Sequence, residues 1–315
     1  MDTEIRDRFL RRFEKENTKK TYVGNINGFY KYILEEKKKF NSDLELVKTV
    51  TVADVEDYFY KLKDEKIYKK STINTKMEVI KEFFKYVTDS HIREFNPTDT
   101  LKKYNEEEVK EDKDDKYIPT IREIKELIKA SYKKEVDGRN QEFNDARDRF
   151  LIALLSTTGM RITSEALKIK VTDIEVVDNG IMINVYGKKN NLQKRVPLCD
   201  CVIPYYEEYK IKRMIQNEKH HSDLLFFSTN GNMLDGKDIN MSIKKFISRT
   251  NIKENITCHC FRHFLAQHLR SEGHEIGLVH KVMGWKEKGI ITIYDGKASD
   301  RKYDKLKLKM CNVLG

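Results

Sequence analysis

The stretch His259-Cys260-Phe261-Arg262-His263 is followed by Gly284-Trp285 and, nine residues after the tryptophan, by Tyr294. Arg262 offers rigid, forked N–H donors for phosphate oxygens, and His259 and the indole N–H of Trp285 can add further hydrogen bonds. A tyrosine oxygen can attack phosphorus as a nucleophile. The order and spacing of these residues therefore predict a phosphate site that carries its own nucleophile.

Two upstream segments supply further cations. Thr157-Thr158-Gly159-Met160-Arg161 places an arginine directly after a glycine turn, and a lysine-rich predicted hairpin runs from Tyr186-Gly187-Lys188-Lys189 to Arg195-Val196-Pro197-Leu198. Side chains at the tip of a hairpin are mobile, so Lys188, Lys189 and Lys194 could each reach a reacting group. We prefer Lys188, and the sequence alone leaves the other two open.

With these segments the chain resembles the tyrosine recombinases, the lambda-integrase family. The match follows that family's order of arginine, hairpin lysine, H-x-x-R, His or Trp, and tyrosine, and it is strongest over residues 118–295. The resemblance implies site-specific DNA recombination, by integration or excision of a mobile element, through a Holliday junction. The implied partners are double-stranded DNA attachment sites, further copies of the chain in a homotetrameric synaptic complex, and accessory DNA-bending or directionality factors.

The resemblance also assigns chemical roles. Tyr294 would attack the scissile phosphate and form a 3′-phosphotyrosyl link, while Arg161 and Arg262 hold the phosphate oxygens and Lys188 protonates the leaving 5′-hydroxyl. Because the energy of the broken bond is kept in the enzyme link, no ATP and no other cofactor is expected. The arginines would supply the positive charge that a metal ion supplies elsewhere.

Five further residues have implied or open roles. His259 would hydrogen-bond the phosphate or assist the proton loss of the tyrosine, and Trp285 would orient the phosphate where other members often have histidine. Family members commonly carry an acid three residues after the first arginine, whereas Glu165 comes four residues after Arg161. Glu165 and His263 are therefore predicted as supporting residues, with the role of Glu165 open. Tyr303 is the alternative nucleophile.

Other functions remain open at this stage. A chromosome-dimer-resolving recombinase would use the same residues, and a type IB topoisomerase shares arginines, lysine, histidine and tyrosine but relaxes supercoils without joining partners. The length of two domains and the spacing from Gly284-Trp285 to Tyr294 favour a recombinase. A catalytically silent DNA-binding protein is the third alternative, and it would leave the whole catalytic set as coincidence.

Composition supports a polyanionic partner. The 315 residues include 61 Lys and Arg against 51 Asp and Glu, which gives a net charge of +10. No apolar run approaches the roughly 18 residues that cross a bilayer, and the first residues lack a secretory hydrophobic region, so a cytoplasmic, nucleoid-associated protein without a membrane partner is expected. Cys199-Asp200-Cys201 and Cys258-His259-Cys260 suggest a zinc site only weakly, because structural zinc pairs usually have at least two residues between the cysteines.

The periodicity of apolar residues predicts a mainly α protein of two domains. Residues 1–102 are expected to form a helical core-binding, SAM-like domain, residues 103–117 a charged linker, and residues 118–315 the catalytic domain with a C-terminal tail. Within the catalytic domain, alternating segments at 174–177, 181–186 and 194–198 predict a small three-stranded antiparallel sheet among helices. Whether the tail docks on its own chain or on a neighbour is open.

The helical domain is expected to contact the DNA backbone. Thr18 and Ser71 look like capping residues at two helix starts, and helix starts can bind phosphates. The lysines near those starts are candidate DNA contacts: Lys19, Lys20, Lys69, Lys70 and Lys76. A solvated charged face is an equally good interpretation of each lysine taken singly.

Overall fold

The structure, a computed structural model, describes residues 3–37, 40–111, 117–132, 141–178, 180–186 and 192–284. The chain divides into two compact units, residues 1–115 and residues 116–315. Each unit has a hydrophobic core of its own. The division falls inside the segment that the sequence predicts as a charged linker.

Over the described residues, the first unit is built from helices. Its helices are α1 (Glu4–Leu10), α2 (Glu16–Lys37), α3 (Asp43–Thr49), α4 (Val52–Asp64), α5 (Lys70–Asp89) and α6 (Glu106–Glu111). Apolar residues at spacings of three and four give α4 and α5 one buried face each. Fully buried phenylalanines from three helices pack edge to face at the centre: Phe9, Phe29, Phe83 and Phe84.

The predicted starts of two helices are wrong by three and two residues, respectively. Helix α2 begins at Glu16 and α5 at Lys70, so Thr18 and Ser71 lie inside the helices and do not cap them. Residue Lys69 occupies the capping position of α5 and its side chain makes no capping hydrogen bond. Hydroxyl residues are tolerated inside a helix because they can bond to a carbonyl one turn earlier, as Thr75 does to the carbonyl of Ser71 at 3.0 Å.

The predicted linker is partly ordered against the first unit. The side-chain amide of Asn74 donates to the carbonyl of Tyr104 at 2.8 Å, and the backbone N–H of Tyr104 donates to the Asn74 oxygen at 2.9 Å. The short helix α6 follows. The charged composition of this segment therefore does not prevent its first residues from attaching to α5.

The second unit combines helices with a small sheet. Its helices are α7 (Ile121–Ala130), α8 (Gln141–Thr158), α9 (Ile203–Asn217), α10 (Gly236–Ile247), α11 (Cys258–Ser271) and α12 (Ile276–Met283). Strands β1 (Ile174–Val177), β2 (Gly180–Tyr186) and β3 (Leu192–Leu198) form one antiparallel sheet in the order β1-β2-β3. The predicted mainly α fold with a three-stranded antiparallel sheet is confirmed, and β3 begins two residues before the predicted start.

Helix α8 is the centre of the second unit. Its residues are buried almost all round, and α7, α9, α10 and α11 pack against it. Near its end the hydroxyls of Ser156, Thr157 and Thr158 donate to carbonyls one turn earlier. These buried hydroxyls therefore all have hydrogen-bond partners. The helix ends at Thr158, directly before the turn that carries Arg161.

Within the described ranges, no helix is both long and apolar enough to span a lipid bilayer.

Candidate active site

The turn after α8 depends on Gly159. Its φ of +60° lies in the left-handed region, which glycine adopts without a steric cost. A Cβ at this position would lie 2.9 Å from the sulfur of Met283 and 3.0 Å from Cδ2 of Leu265. The turn is therefore pressed against α11 and α12, and this close contact fixes where Arg161 emerges.

Arg161 and Glu165 form a hydrogen-bonded pair within one turn. Nη1 of Arg161 lies 2.8 Å from Oε1 of Glu165, and the backbone N–H of Arg161 donates to Oε2 at 3.1 Å. The side chain of Arg161 is 43% exposed and that of Glu165 is 5% exposed. The buried carboxylate thus steadies an arginine that remains open to a ligand.

The four-residue spacing between these residues is accommodated by a turn. The N–H groups of Glu165 and Ala166 both donate to the carbonyl of Arg161 at 3.0 Å, and a short 3₁₀ helix, Ala166–Lys168, follows. Glu165 is the residue directly before this short helix. Glu165 reaches Arg161 from this position, and its supporting role in the site stays a prediction.

Lys194 brings a further cation to the same carboxylate. It lies on β3, pairs across the sheet with Val185, and its Nζ is 2.9 Å from Oε2 of Glu165. Its side chain is only 12% exposed. Lys188 and Lys189, the other candidates from the hairpin, lie outside the described residues.

Arg262 reaches the site from α11 and joins three segments. Its Nη1 donates to the carbonyl of Gly159, and its Nη2 donates to the carbonyl of Met283. Burial lowers the pKa of Arg262 to about 10, and the positive charge of Arg161 acts in the same direction. The carbonyl of Gly284 also lies 3.4 Å from Nη2 of Arg161. Both arginines thus hold the chain just before Trp285.

His259 stands at the first turn of α11, one turn before Arg262 on the same helix. It is exposed, and its ring meets that of His263 edge to face with the centroids 4.8 Å apart. An exposed imidazole beside a buried arginine is suitably placed to hydrogen-bond the same anion. His263, which the sequence predicts as a supporting residue, packs against His259 one turn earlier on the helix.

Charge coupling within the cluster appears in its pKa values. Burial raises the pKa of Glu165, but Lys194 and the hydrogen bonds from Arg161 outweigh it, so the pKa is lowered from 4.5 overall. Burial lowers the pKa of Lys194, Glu165 opposes this, and Arg262 and Arg161 lower it further. The charges of Glu165, Lys194 and the two arginines therefore influence one another.

Several predicted site residues cannot be placed. Lys188, Trp285, Tyr294 and the alternative nucleophile Tyr303 lie outside the described residues. The predicted tail lies outside them as well. The described site therefore contains Arg161, Glu165, Lys194, His259 and Arg262.

The candidate DNA-contact lysines fall near the starts of α2 and α5. Lys19 is paired with Glu16 at 2.9 Å, whereas Lys20 is exposed. Lys76 is half-buried, with its Nζ 4.6 Å from the ring centroid of Tyr68. Lys69 and Lys70 lie at the beginning of α5.

Cys258 and Cys260 make different contacts. Cys258 is buried and its burial raises the pKa of the thiol to about 12, while Cys260 accepts a hydrogen bond from the backbone N–H of Thr257 at 3.3 Å. Among the described residues no three His, Cys, Asp or Glu side chains come together as a group that could hold a metal ion.

Comparison with known families matches both units. Residues 119–301 match the phage integrase family, and residues 4–94 match the N-terminal SAM-like domain of phage integrases. The first match alone covers more than half of the chain. This chain belongs to the phage integrase family. The resemblance inferred from the sequence is thereby confirmed, as is the SAM-like character of the helical domain.

Individual relatives of this integrase family chain agree with the assignment. A tyrosine recombinase of Agathobacter rectalis is 28% identical over 257 residues, which cover 80% of this chain and 79% of the relative. The fold is similar to that of the XerH site-specific recombinase in a post-cleavage complex with difH DNA, with a TM-score of 0.62 and 20% identity over 92% of this chain and 76% of the other. It is also similar to a lambda integrase tetramer bound to a Holliday junction, with a TM-score of 0.61 and 14% identity over 93% and 79%.

The chain is accordingly a site-specific DNA recombinase of the tyrosine recombinase type.

The contact between Lys194 and Glu165 was not predicted from the sequence, which favoured Lys188 over Lys194. The sequence does indicate that the Lys194 side chain faces inward, because Val196 and Leu198, which share its face of β3, are apolar and buried. The carbonyl contacts of Met283 and Gly284 left no comparable signal, since any residue type supplies a carbonyl.

Proposed function

We propose that this integrase family member cuts and rejoins duplex DNA at specific sites, with Tyr294 as the nucleophile. The observation that carries the proposal is the cluster of Arg161, Arg262 and Lys194 around the buried carboxylate of Glu165. Three cations against one carboxylate leave an excess of positive charge, which an anionic phosphate would neutralise. The exposed His259 at the start of α11 adds a hydrogen-bonding group beside it.

The proposed reaction is a transesterification. The oxygen of Tyr294 attacks phosphorus, the bond from phosphorus to the 5′ oxygen breaks, and a 3′-phosphotyrosyl link forms. Lys188 donates the proton that the 5′ oxygen requires, and His259 accepts or positions the proton that leaves the tyrosine. Arg161 and Arg262 stabilise the charge that builds on the non-bridging oxygens, which is where electrostatic catalysis acts.

Rejoining reverses these steps on a new strand. The 5′-hydroxyl of a partner duplex attacks the phosphotyrosyl link, the tyrosine leaves, and one strand exchange produces a Holliday junction. The number of phosphodiester bonds is unchanged, so the exchange consumes no external energy. Trp285 would orient the phosphate through its indole N–H, in agreement with the arginine contacts that hold the two residues before it.

The biological form of the reaction is proposed as integration or excision of a mobile element. A homotetramer would assemble on two attachment sites, because the lambda integrase of similar fold forms a tetramer on a Holliday junction. Accessory DNA-bending or directionality factors would select the direction of exchange. Since the proposed substrate is chromosomal and element DNA, we place the protein at the nucleoid in the cytoplasm.

The test uses nicked suicide DNA that carries candidate attachment sites. Wild-type protein, Tyr294→Phe and the matched control Tyr303→Phe are incubated with this DNA, and denaturant-resistant adducts linked through a 3′ phosphate are scored. We expect adducts with wild type and Tyr303→Phe and none with Tyr294→Phe. Adducts with Tyr294→Phe but not with Tyr303→Phe would move the nucleophile to Tyr303. No adduct from wild type on DNA that it binds would contradict the proposed enzyme activity.

A further inference from the structure

Lys194 and Arg195 are neighbours on β3 with opposite surroundings. Lys194 is on the buried face with Val196 and Leu198, and its side chain is 12% exposed. Arg195 is 37% exposed and pairs with Glu175 on β1 at 2.9 Å. Successive side chains of a strand point to opposite faces of the sheet. Lys194 therefore lies beside the arginine cluster, and Arg195 lies on the other face.

Burial of Lys194 is unfavourable unless the ammonium gains a compensating interaction. Among the described residues its one ion-pair partner is Glu165, at 2.9 Å. A Cβ placed on Gly284 would lie 4.0 Å from both Nζ of Lys194 and Nη1 of Arg161, so the two cations flank the same point of the chain. Lys194 is therefore part of the site and not a remote surface charge.

Glu165 presents an electrostatic problem for a phosphate site. Its carboxylate is 5% exposed and lies 2.8 Å from Nη1 of Arg161. A carboxylate that close attracts the guanidinium and weakens its attraction for a phosphate. Lys194 contacts the other oxygen, Oε2, and so supplies a second positive charge to the same carboxylate.

We propose that Lys194 is a positioning residue that balances the charge of Glu165 and so keeps the charge of Arg161 available to the phosphate. The inference rests on the proposed function. It assigns Lys194 no proton transfer, which stays with Lys188. The lysine holds the carboxylate in the orientation that steadies Arg161 and cancels its repulsion of the phosphate.

Charge balance predicts which step is affected. Arg161, Arg262 and Lys194 with Glu165 carry a net charge of +2, and replacing the lysine by a neutral residue leaves +1. A phosphodiester carries one negative charge, and attack by the tyrosine oxygen adds charge in the transition state. The loss of one positive charge therefore raises the free energy of the transition state more than that of the bound substrate.

The first experiment compares Lys194→Met with the matched control Arg195→Met. The rate of covalent adduct formation is measured at saturating suicide DNA, together with DNA affinity. We expect Lys194→Met to slow adduct formation by about tenfold to a hundredfold, as for removal of groups that orient a catalytic residue, with a much smaller change in affinity. Arg195→Met should leave the rate at saturating DNA unchanged. Equal rates for Lys194→Met and wild type would overturn the inference.

A second experiment separates charge balance from packing. The double variant Glu165→Gln with Lys194→Met restores the net charge of +2 that Lys194→Met lacks. We expect it to form adducts faster than Lys194→Met, and we expect Lys194→Arg to recover part of the rate by restoring the cation. A double variant no faster than Lys194→Met would overturn the inference.

Folding and the proposed function are controlled separately. If Lys194→Met unfolds at the assay temperature, the folded double variant is compared with wild type instead, because removing both members of a buried pair costs less than removing one. A double variant far slower than wild type would then overturn the inference. Failure of wild type to form any adduct would contradict the proposed function itself. Adduct formation by wild type with no effect of the Lys194 variants would contradict only the role of Lys194.

Discussion

Arg262 donates a hydrogen bond to the backbone carbonyl of Gly159, a residue 103 positions earlier in the sequence. The same guanidinium donates to the carbonyl of Met283. One buried side chain therefore joins the turn of the first arginine, helix α11 and the end of α12. Arg262 thus ties together the sequence segments that predicted the site, and it links the stability of the fold to the geometry of the proposed phosphate site.

Arg262→Lys is expected to lose both stability and cleavage. A lysine ammonium cannot reproduce the planar fork that spans two carbonyls, so one buried carbonyl would lose its partner at a cost of about 1–3 kcal/mol. Loss of a phosphate donor should slow adduct formation by about 10²- to 10³-fold. Urea unfolding and suicide-substrate kinetics measure the two effects. Arg270→Lys, an exposed position on the same helix, should change neither.

Gly159→Ala is expected to destabilise the second unit. Its φ of +60° strains any side chain, and a Cβ would lie 2.9 Å from the sulfur of Met283. We expect a loss of about 1–3 kcal/mol in the free energy of unfolding, measured by urea titration. Gly277→Ala is the matched control, because nothing lies within 4 Å of its added Cβ. Similar losses for the two variants would contradict the close-contact explanation.

Glu165 should make stability depend on pH in the acid range. Its pKa in the folded protein is below the ordinary value of 4.5, so its contribution is fully present above the unfolded pKa and is lost as pH falls through the folded pKa. The difference in unfolding free energy between wild type and Glu165→Gln should therefore be constant near neutral pH and shrink below about pH 4.5. Glu175→Gln, which alters an exposed ion pair, should show little difference at any pH. A gap that widens on acidification would refute this assignment.

Lys20 is expected to contribute a phosphate contact. It is exposed in the first turns of α2, where Lys19 is already paired with Glu16. Lys20→Ala should reduce the slope of log affinity against log salt concentration by about 0.9, the value for one phosphate contact on duplex DNA. Lys31→Ala, further along α2 and paired with Glu35, is the control and should leave the slope unchanged. An unchanged slope for Lys20→Ala would identify this lysine as part of a solvated face.

The sequence predicted what local patterns determine. The three strands followed from alternation at residues 174–177, 181–186 and 194–198, and the turn before Arg161 followed from Gly159. The partner of Lys194 did not follow, because Glu165 is 29 positions earlier and only the packing of the sheet on the turn brings them together. Ser71 was misread as a cap because hydroxyl residues at caps and inside helices look alike in sequence.

Helix α8 is buried on nearly every side and ends one residue before the Gly159 turn. Amide hydrogens in such a helix exchange with solvent only when the whole unit opens. The arginine that would bind the phosphate therefore follows a helix whose amide hydrogens are expected to exchange slowly. We therefore expect local opening of surface loops to leave the backbone position of Arg161 unchanged.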